Sequence, residues 1–148
     1  MKFRLIWAFI GITAGVMAGT VFEVRYQNHM ALFFGYLSSI FACVLFFIHI
    51  AQLKGKLCLW RSMTINVVAV ISLIIATISM AFCIYSFVKA GIDKQGLSSE
   101  ALHGRNFWII GIWCFACFKW SMLSAFYLRK YLKYNRAQIN ENRCPYIN

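Results

Sequence analysis

Acidic side chains are nearly missing from this chain. Four Asp and Glu stand against fifteen Lys and Arg in 148 residues. No paired-carboxylate motif can be drawn from so few acids, and no nucleophile elbow, P-loop or HExxH pattern is present. Catalytic chemistry therefore has no local signature here. Proline occurs once, at Pro145, so no proline interrupts an apolar run. The six cysteines (Cys43, Cys58, Cys83, Cys114, Cys117 and Cys144) lack the spacing of a secreted disulfide framework. Cys114 and Cys117 form a CxxC, but it lies in an apolar run with no second pair. They read as small packing residues rather than a redox or zinc site. No internal repeat and no soluble domain is visible.

What the chain has in excess is apolar surface. It is 61% hydrophobic with a mean hydropathy of +0.68, too apolar for an ordinary soluble domain. A hydrocarbon core roughly 30 Å thick needs about 20 helical residues. Four runs meet that need, at about 5–22, 30–53, 63–88 and 107–128. The expected fold is an all-α membrane protein: one four-helix transmembrane domain spanning 1–148, with a short basic tail at 129–148. The net charge of +11 does not indicate nucleic acid, because the cations sit between and after apolar runs, where anionic headgroups lie.

The first run follows Lys2 and Arg4 and carries Gly11, Gly15 and Gly19, with Ala14 and Ala18 beside them. A basic start before an apolar run also suits a signal peptide, but this run is longer than a usual signal core and reads as a retained helix. Its small face allows close helix approach, within one chain or in a homo-oligomer. In the third run, Asn66, Ser72, Thr77 and Ser79 are suited to hydrogen bonds between helices. Ten of the fifteen cations fall in the N-terminus, second connector and tail. The positive-inside rule then puts both termini in the cytosol, and His29 and His103 outside or in a lumen.

Ionisable residues within membrane runs are costly and often functional. His49 is the only histidine in such a run. It reads either as a helix-to-helix hydrogen-bonding residue or as a ligand or proton relay. One membrane histidine does not provide the facing pairs of a permanent, doubly ligated haem. Lys119 either snorkels to the surface or meets a substrate carboxylate. The strip Tyr127, Arg129, Lys130, Tyr131, Lys133 and Tyr134 suits an interfacial belt or a site for a flat anionic ligand.

From Gly91 to Lys133 the residues GIDKQG, ALHGRNFW, FKW (Phe118–Trp120) and YLRKY (Tyr127–Tyr131) occur in an order that resembles the haem-responsive-gene (HRG) family of four-helix haem importers. The resemblance implies haem as transported substrate with no permanently bound cofactor, no enzymatic activity, and three stations. A histidine in the second exoplasmic loop would take up haem, a helix-two histidine or tyrosine would receive it, and a cytosolic FARKY-like motif would release it. Here helix two offers His49. YLRKY keeps the Arg-Lys-Tyr end, with tyrosine for phenylalanine and leucine for alanine. The implied haem-binding residues are His49, His103, Tyr127, Arg129, Lys130 and Tyr131, with Lys94 and Lys119 as propionate or loop contacts. The loop departs from the family: Lys94 stands where a histidine is expected, and His103 offers the nearest imidazole. Haem, the bilayer and a second copy of the chain are the expected partners.

Two other classes fit parts of the pattern. A non-transporting tetraspan adaptor explains the glycine face, belts and basic tail, but has no need of His49 or Lys119. A haem-dependent membrane reductase would hold its haem through purification. The tail lacks a dileucine signal, and Tyr131-Leu132-Lys133-Tyr134 lacks the bulky aliphatic fourth residue of a tyrosine signal. Those absences favour the plasma membrane over an endolysosomal one.

Overall fold

Hydrocarbon offers no hydrogen bonds to a bare backbone, so apolar runs of this length must close their bonds internally as helices. The computed structural model describes residues 2–98 and 102–140, which hold no strand. Four helices are formed, α1 (Lys2–Tyr26), α2 (His29–Leu53), α3 (Ser62–Ile92) and α4 (Phe107–Asn140); the second connector holds a single 3-10 turn at Lys56–Leu59, and the third, residues 93–106, is the longest. All four are long and apolar enough to cross a bilayer. At 1.5 Å per residue even the 25 residues of α1 reach about 37 Å, beyond a hydrocarbon core of roughly 30 Å. Phe9, Ile40, Phe47, Ile74, Ile78 and Phe115 face outward, as expected where lipid is the solvent. The protein is an all-α, four-span membrane protein.

The helices outrun the apolar runs. α4 continues to Asn140, so residues 129–140, expected to be tail, are helical. The physical reason is local: Leu, Arg, Lys, Gln and Ala are good helix formers and no breaker intervenes. Cys144, Pro145 and the rest of 141–148, together with Ser99, Glu100 and Ala101, lie outside the described residues. The first connector is also tighter than expected. Only Gln27 and Asn28 separate α1 from α2, with Gln27 in the left-handed region at φ 52°. The Asn28 side chain caps α2 by accepting from the Ala31 N–H at 3.1 Å.

α1 packs on α2, α2 on α4, and α4 on α3. The glycine face of α1 is consumed inside the chain. Gly11 lies under the Trp120 indole of α4, while Gly15 and Gly19 meet Gly35, Ser39 and Leu32 of α2. α3 presents Ile65, Ala69, Ser72, Ala76, Ser79, Cys83, Ser86 and Ala90 as its buried stripe. That alternation of threes and fours is the seam of a left-handed helix pair. Of the α3 polar residues expected to bond across helices, Ser79 does so, donating to the Cys117 sulfur at 3.2 Å. Ser72 and Thr77 instead bond to carbonyls of their own helix, and Asn66 is exposed. Cross-helix bonds come from elsewhere, with Ser39 donating to Ile12 O and Ser124 to Phe41 O. Cys83, Cys114 and Cys117 belong to the packed core.

Candidate functional site

His49 occupies the last turns of α2 and points into the bundle, only 3% exposed. Its Nδ1 lies 3.0 Å from the Tyr131 hydroxyl of α4. Tyr127 stands edge-on to the same imidazole, with ring centres 4.7 Å apart, and Tyr131 does so at 5.9 Å. Tyr127 and Tyr131 share a helix face because residues four apart do. The Arg4 guanidinium of α1 sits 5.0 Å over the Tyr127 ring and acts electrostatically on both His49 and Tyr131. Three helices thus converge on one imidazole, two phenols and one guanidinium. Beside it, Ile48, Leu57, Ile65, Ala69 and Leu128 form a buried apolar cluster with Tyr131. Imidazole and phenol are both protein ligands of haem iron, and a guanidinium matches a carboxylate in geometry and charge.

The remaining residues singled out from the sequence are dispersed. Lys94 and His103 lie at the opposite end of the bundle. Lys94 is exposed at a left-handed turn, φ 47°. His103 is exposed and packs edgewise on Tyr26, 5.4 Å between centres, where the Gly104 N–H also donates to Tyr26 O at 2.7 Å. Gln95, between them in sequence, organises this end. Its side chain accepts from Phe107 N–H and donates to Arg105 O, and its carbonyl accepts from the Trp108 indole. Lys119 lies midway along α4, with Nζ 4.7 Å from the ring centres of both Trp7 and Trp120. The ammonium is held by two indoles, neither snorkelled free nor on a protein carboxylate. Desolvated cation–π contacts contribute on the order of 1–2 kcal/mol. Lys119→Met is therefore expected to lower the melting temperature in detergent, and Lys119→Arg to restore it. Identical melting curves for Lys119→Met and wild type would show that the clamp contributes nothing.

The chain is 37% identical to heme transporter hrg-1 of Caenorhabditis elegans over 131 residues, 88% of this chain and 68% of that protein. The chain belongs to the HRG family. It is also 26% identical to heme transporter hrg-4 over 145 residues and 28% identical to heme transporter hrg-6 over 130, both from the same nematode. These matches cover 87% and 88% of this chain, and 79% and 81% of the two relatives. No protein-family model matches the chain, and no solved structure matches it.

In this HRG chain the YLRKY segment divides into two faces. Tyr127, Leu128 and Tyr131 turn inward, while Arg129 and Lys130 are exposed. At about 100° per residue Arg129 lies on the side opposite Tyr127 and Tyr131, whereas Lys130 lies about 60° from Tyr127, at the edge of the inner face. Arg129, Lys130 and Lys133 edge an open groove of about 360 Å³ floored by Leu73, Met122, Ala125 and Phe126. Cationic lip and aromatic cluster are therefore separate features of one helix end. Sequence reading missed Arg4 as a site residue, counting it only as an orienting charge. It also missed Trp7, because nothing local to α1 shows which α4 residues it will meet.

Proposed function

We propose that the protein is a haem transporter that carries haem from the outside or a lumen into the cytosol, with the His49–Tyr131 pair as its membrane station. The observation that carries this reading is the 3.0 Å bond between two haem-type ligand groups on facing helices, next to the Arg4 guanidinium. Unassisted passage would put two propionate charges into hydrocarbon, at a cost of several kcal/mol each. Arg4 offsets one such charge at the cluster. The Tyr131 hydroxyl holds Nδ1 and so orients the imidazole with Nε2 as the nitrogen for haem iron, and the bond between the two buried groups is kept when haem arrives. Because His49 is enclosed, haem reaches it only when the bundle opens at that end. The membrane site thus opens and closes as a carrier site must.

Arg129, Lys130 and Lys133 then receive propionates at the groove lip, and Tyr127 lies along the porphyrin during release. Lys119 and Lys94 are the other cations on offer to carboxylates along the route, and His103 remains a loop candidate for capture. Ten of fifteen cations support a cytosolic site for both termini and the exit. Haem is held briefly, by ligands that exchange, and is not a resident cofactor.

The test is growth of a haem-auxotrophic cell expressing the wild-type chain at limiting haem, with haemin-agarose retention from detergent. Rescue together with retention, from protein purified largely free of a Soret band, is the expected result. A chain that reaches the membrane yet neither rescues nor binds haemin is an adaptor. One that keeps a strong Soret band through purification without added haem is a haem enzyme.

A further inference from the structure

The end of the bundle opposite His49 holds a pocket of about 340 Å³ between α2, α3 and α4. Met30, Phe82 and Phe107 make its walls apolar, and His29, Tyr85 and Arg105 bring polar groups to it. His29 starts α2, and at 1.5 Å per residue it lies about 30 Å along that helix from His49. Its Nδ1 is held by the Glu23 carboxylate of α1, 2.7 Å from Oε1 and 2.9 Å from Oε2. A carboxylate only accepts, so a neutral His29 carries its proton on Nδ1 and presents the Nε2 lone pair. This is the outer-shell arrangement by which proteins orient a metal-binding imidazole and raise its basicity. The His29 side chain is 78% exposed, so Nε2 is open to an arriving ligand.

We propose that this pocket is the entrance site, with His29 as the axial ligand of incoming haem, Glu23 as its positioning residue and Arg105 as a propionate contact. The proposal rests on the haem-transport reading and adds its first station. An imidazole with a free Nε2, a guanidinium and aromatic walls together match a flat apolar ring that carries iron and carboxylates. Neither residue expected from the sequence to capture haem in the loop, His103 or Lys94, lines this pocket. Phe82 and Tyr85 continue from it onto the outer face of α3, giving the porphyrin edge an apolar side to rest on.

The experiment is haem uptake against external haem for wild type, His29→Ala, Glu23→Gln and Arg105→Ala, with surface expression matched. His29→Ala is expected to raise the half-saturating haem concentration about tenfold, and Glu23→Gln to move it the same way by less. A second readout uses purified protein titrated with haemin in the His49→Ala background. The Soret shift that remains there is expected to vanish when His29→Ala is added. Wild-type uptake with an unchanged half-saturating concentration in both His29→Ala and Arg105→Ala would overturn the entrance site alone. So would an effect confined to His103→Ala or Lys94→Ala. Absence of wild-type uptake would instead overturn the transport reading beneath it.

Discussion

His49→Ala is expected to abolish rescue of a haem-auxotrophic cell at limiting haem while the protein still reaches the membrane. The change removes the buried imidazole of α2 together with a hydrogen-bond partner of a buried phenol. Losing one of the partners of the buried Tyr131 hydroxyl, which keeps Arg4 beside it, costs about 1 kcal/mol, so alanine alone confounds lost folding with lost binding. His49→Gln separates the two, because its amide still hydrogen-bonds to Tyr131 but supplies no nitrogen ligand to iron. Rescue by His49→Gln should fail as it does for alanine, with melting close to wild type. Tyr131→Phe keeps the imidazole and its aromatic neighbour and removes only the orienting hydroxyl. Loss of such an outer-shell partner weakens metal binding roughly ten- to hundred-fold, so haem demand for half-maximal growth should rise by about tenfold. Normal growth of His49→Gln at limiting haem would remove His49 from the route and leave haem transport to be carried by other residues.

The second large effect concerns α1. Gly15→Val is expected to abolish monodisperse, folded protein in detergent. A Cβ at Gly15 would collide with the Ser39 hydroxyl and lie 2.7 Å from the Gly35 carbonyl oxygen. The carbonyl is backbone and cannot turn aside, so α1 and α2 must part. Overpacking a tight core costs about 1–3 kcal/mol even where side chains can adjust, and here one of the two obstacles is backbone. Moving α1 also carries Arg4 away from Tyr127 and Trp7 away from Lys119, so haem retention should fall with stability. The internal control is Gly19→Ala, where the nearest atoms to a new Cβ are 3.4 Å and beyond. Alanine fits there and gains up to about 1 kcal/mol of helix propensity. Equal melting of Gly15→Val and Gly19→Ala would show that the α1–α2 contact is looser than drawn.

Residue by residue, legibility followed how local each property is. The four spans were readable because hydrophobic length and the 20-residue requirement are properties of single segments. The extension of α4 to Asn140 was missed for a related reason: a hydropathy run ends where charge begins, but helical backbone does not. His49 stood out as an isolated ionisable group in hydrocarbon. Its bond to Tyr131, 82 positions later, depends on which face of α2 meets which face of α4. The sequence order of the two groups suggested successive stations, whereas the fold brings them into contact. Lys119 was ambiguous because both of its readings required knowing its neighbours, and those turned out to be two indoles, one from another helix. The glycine face was legible as a packing surface but not as to partner, since close approach suits a second copy as well as α2.

By itself the sequence determined that this chain lives in a bilayer as four helices, carries one histidine inside a span and resembles the HRG family. Those conclusions rest on hydrophobic length, charge counts and short motifs, none of which needs a third dimension. Only the tertiary structure decided that α1 spends its glycines on α2 and α4. It alone joined Arg4, His49, Tyr127 and Tyr131 into one cluster, divided YLRKY between an inner and an outer face, and set His29 on Glu23 beside Arg105. The reason is the helical period: it fixes each residue's angle on its own helix, while contact with a partner depends on how whole helices are rotated and packed against one another.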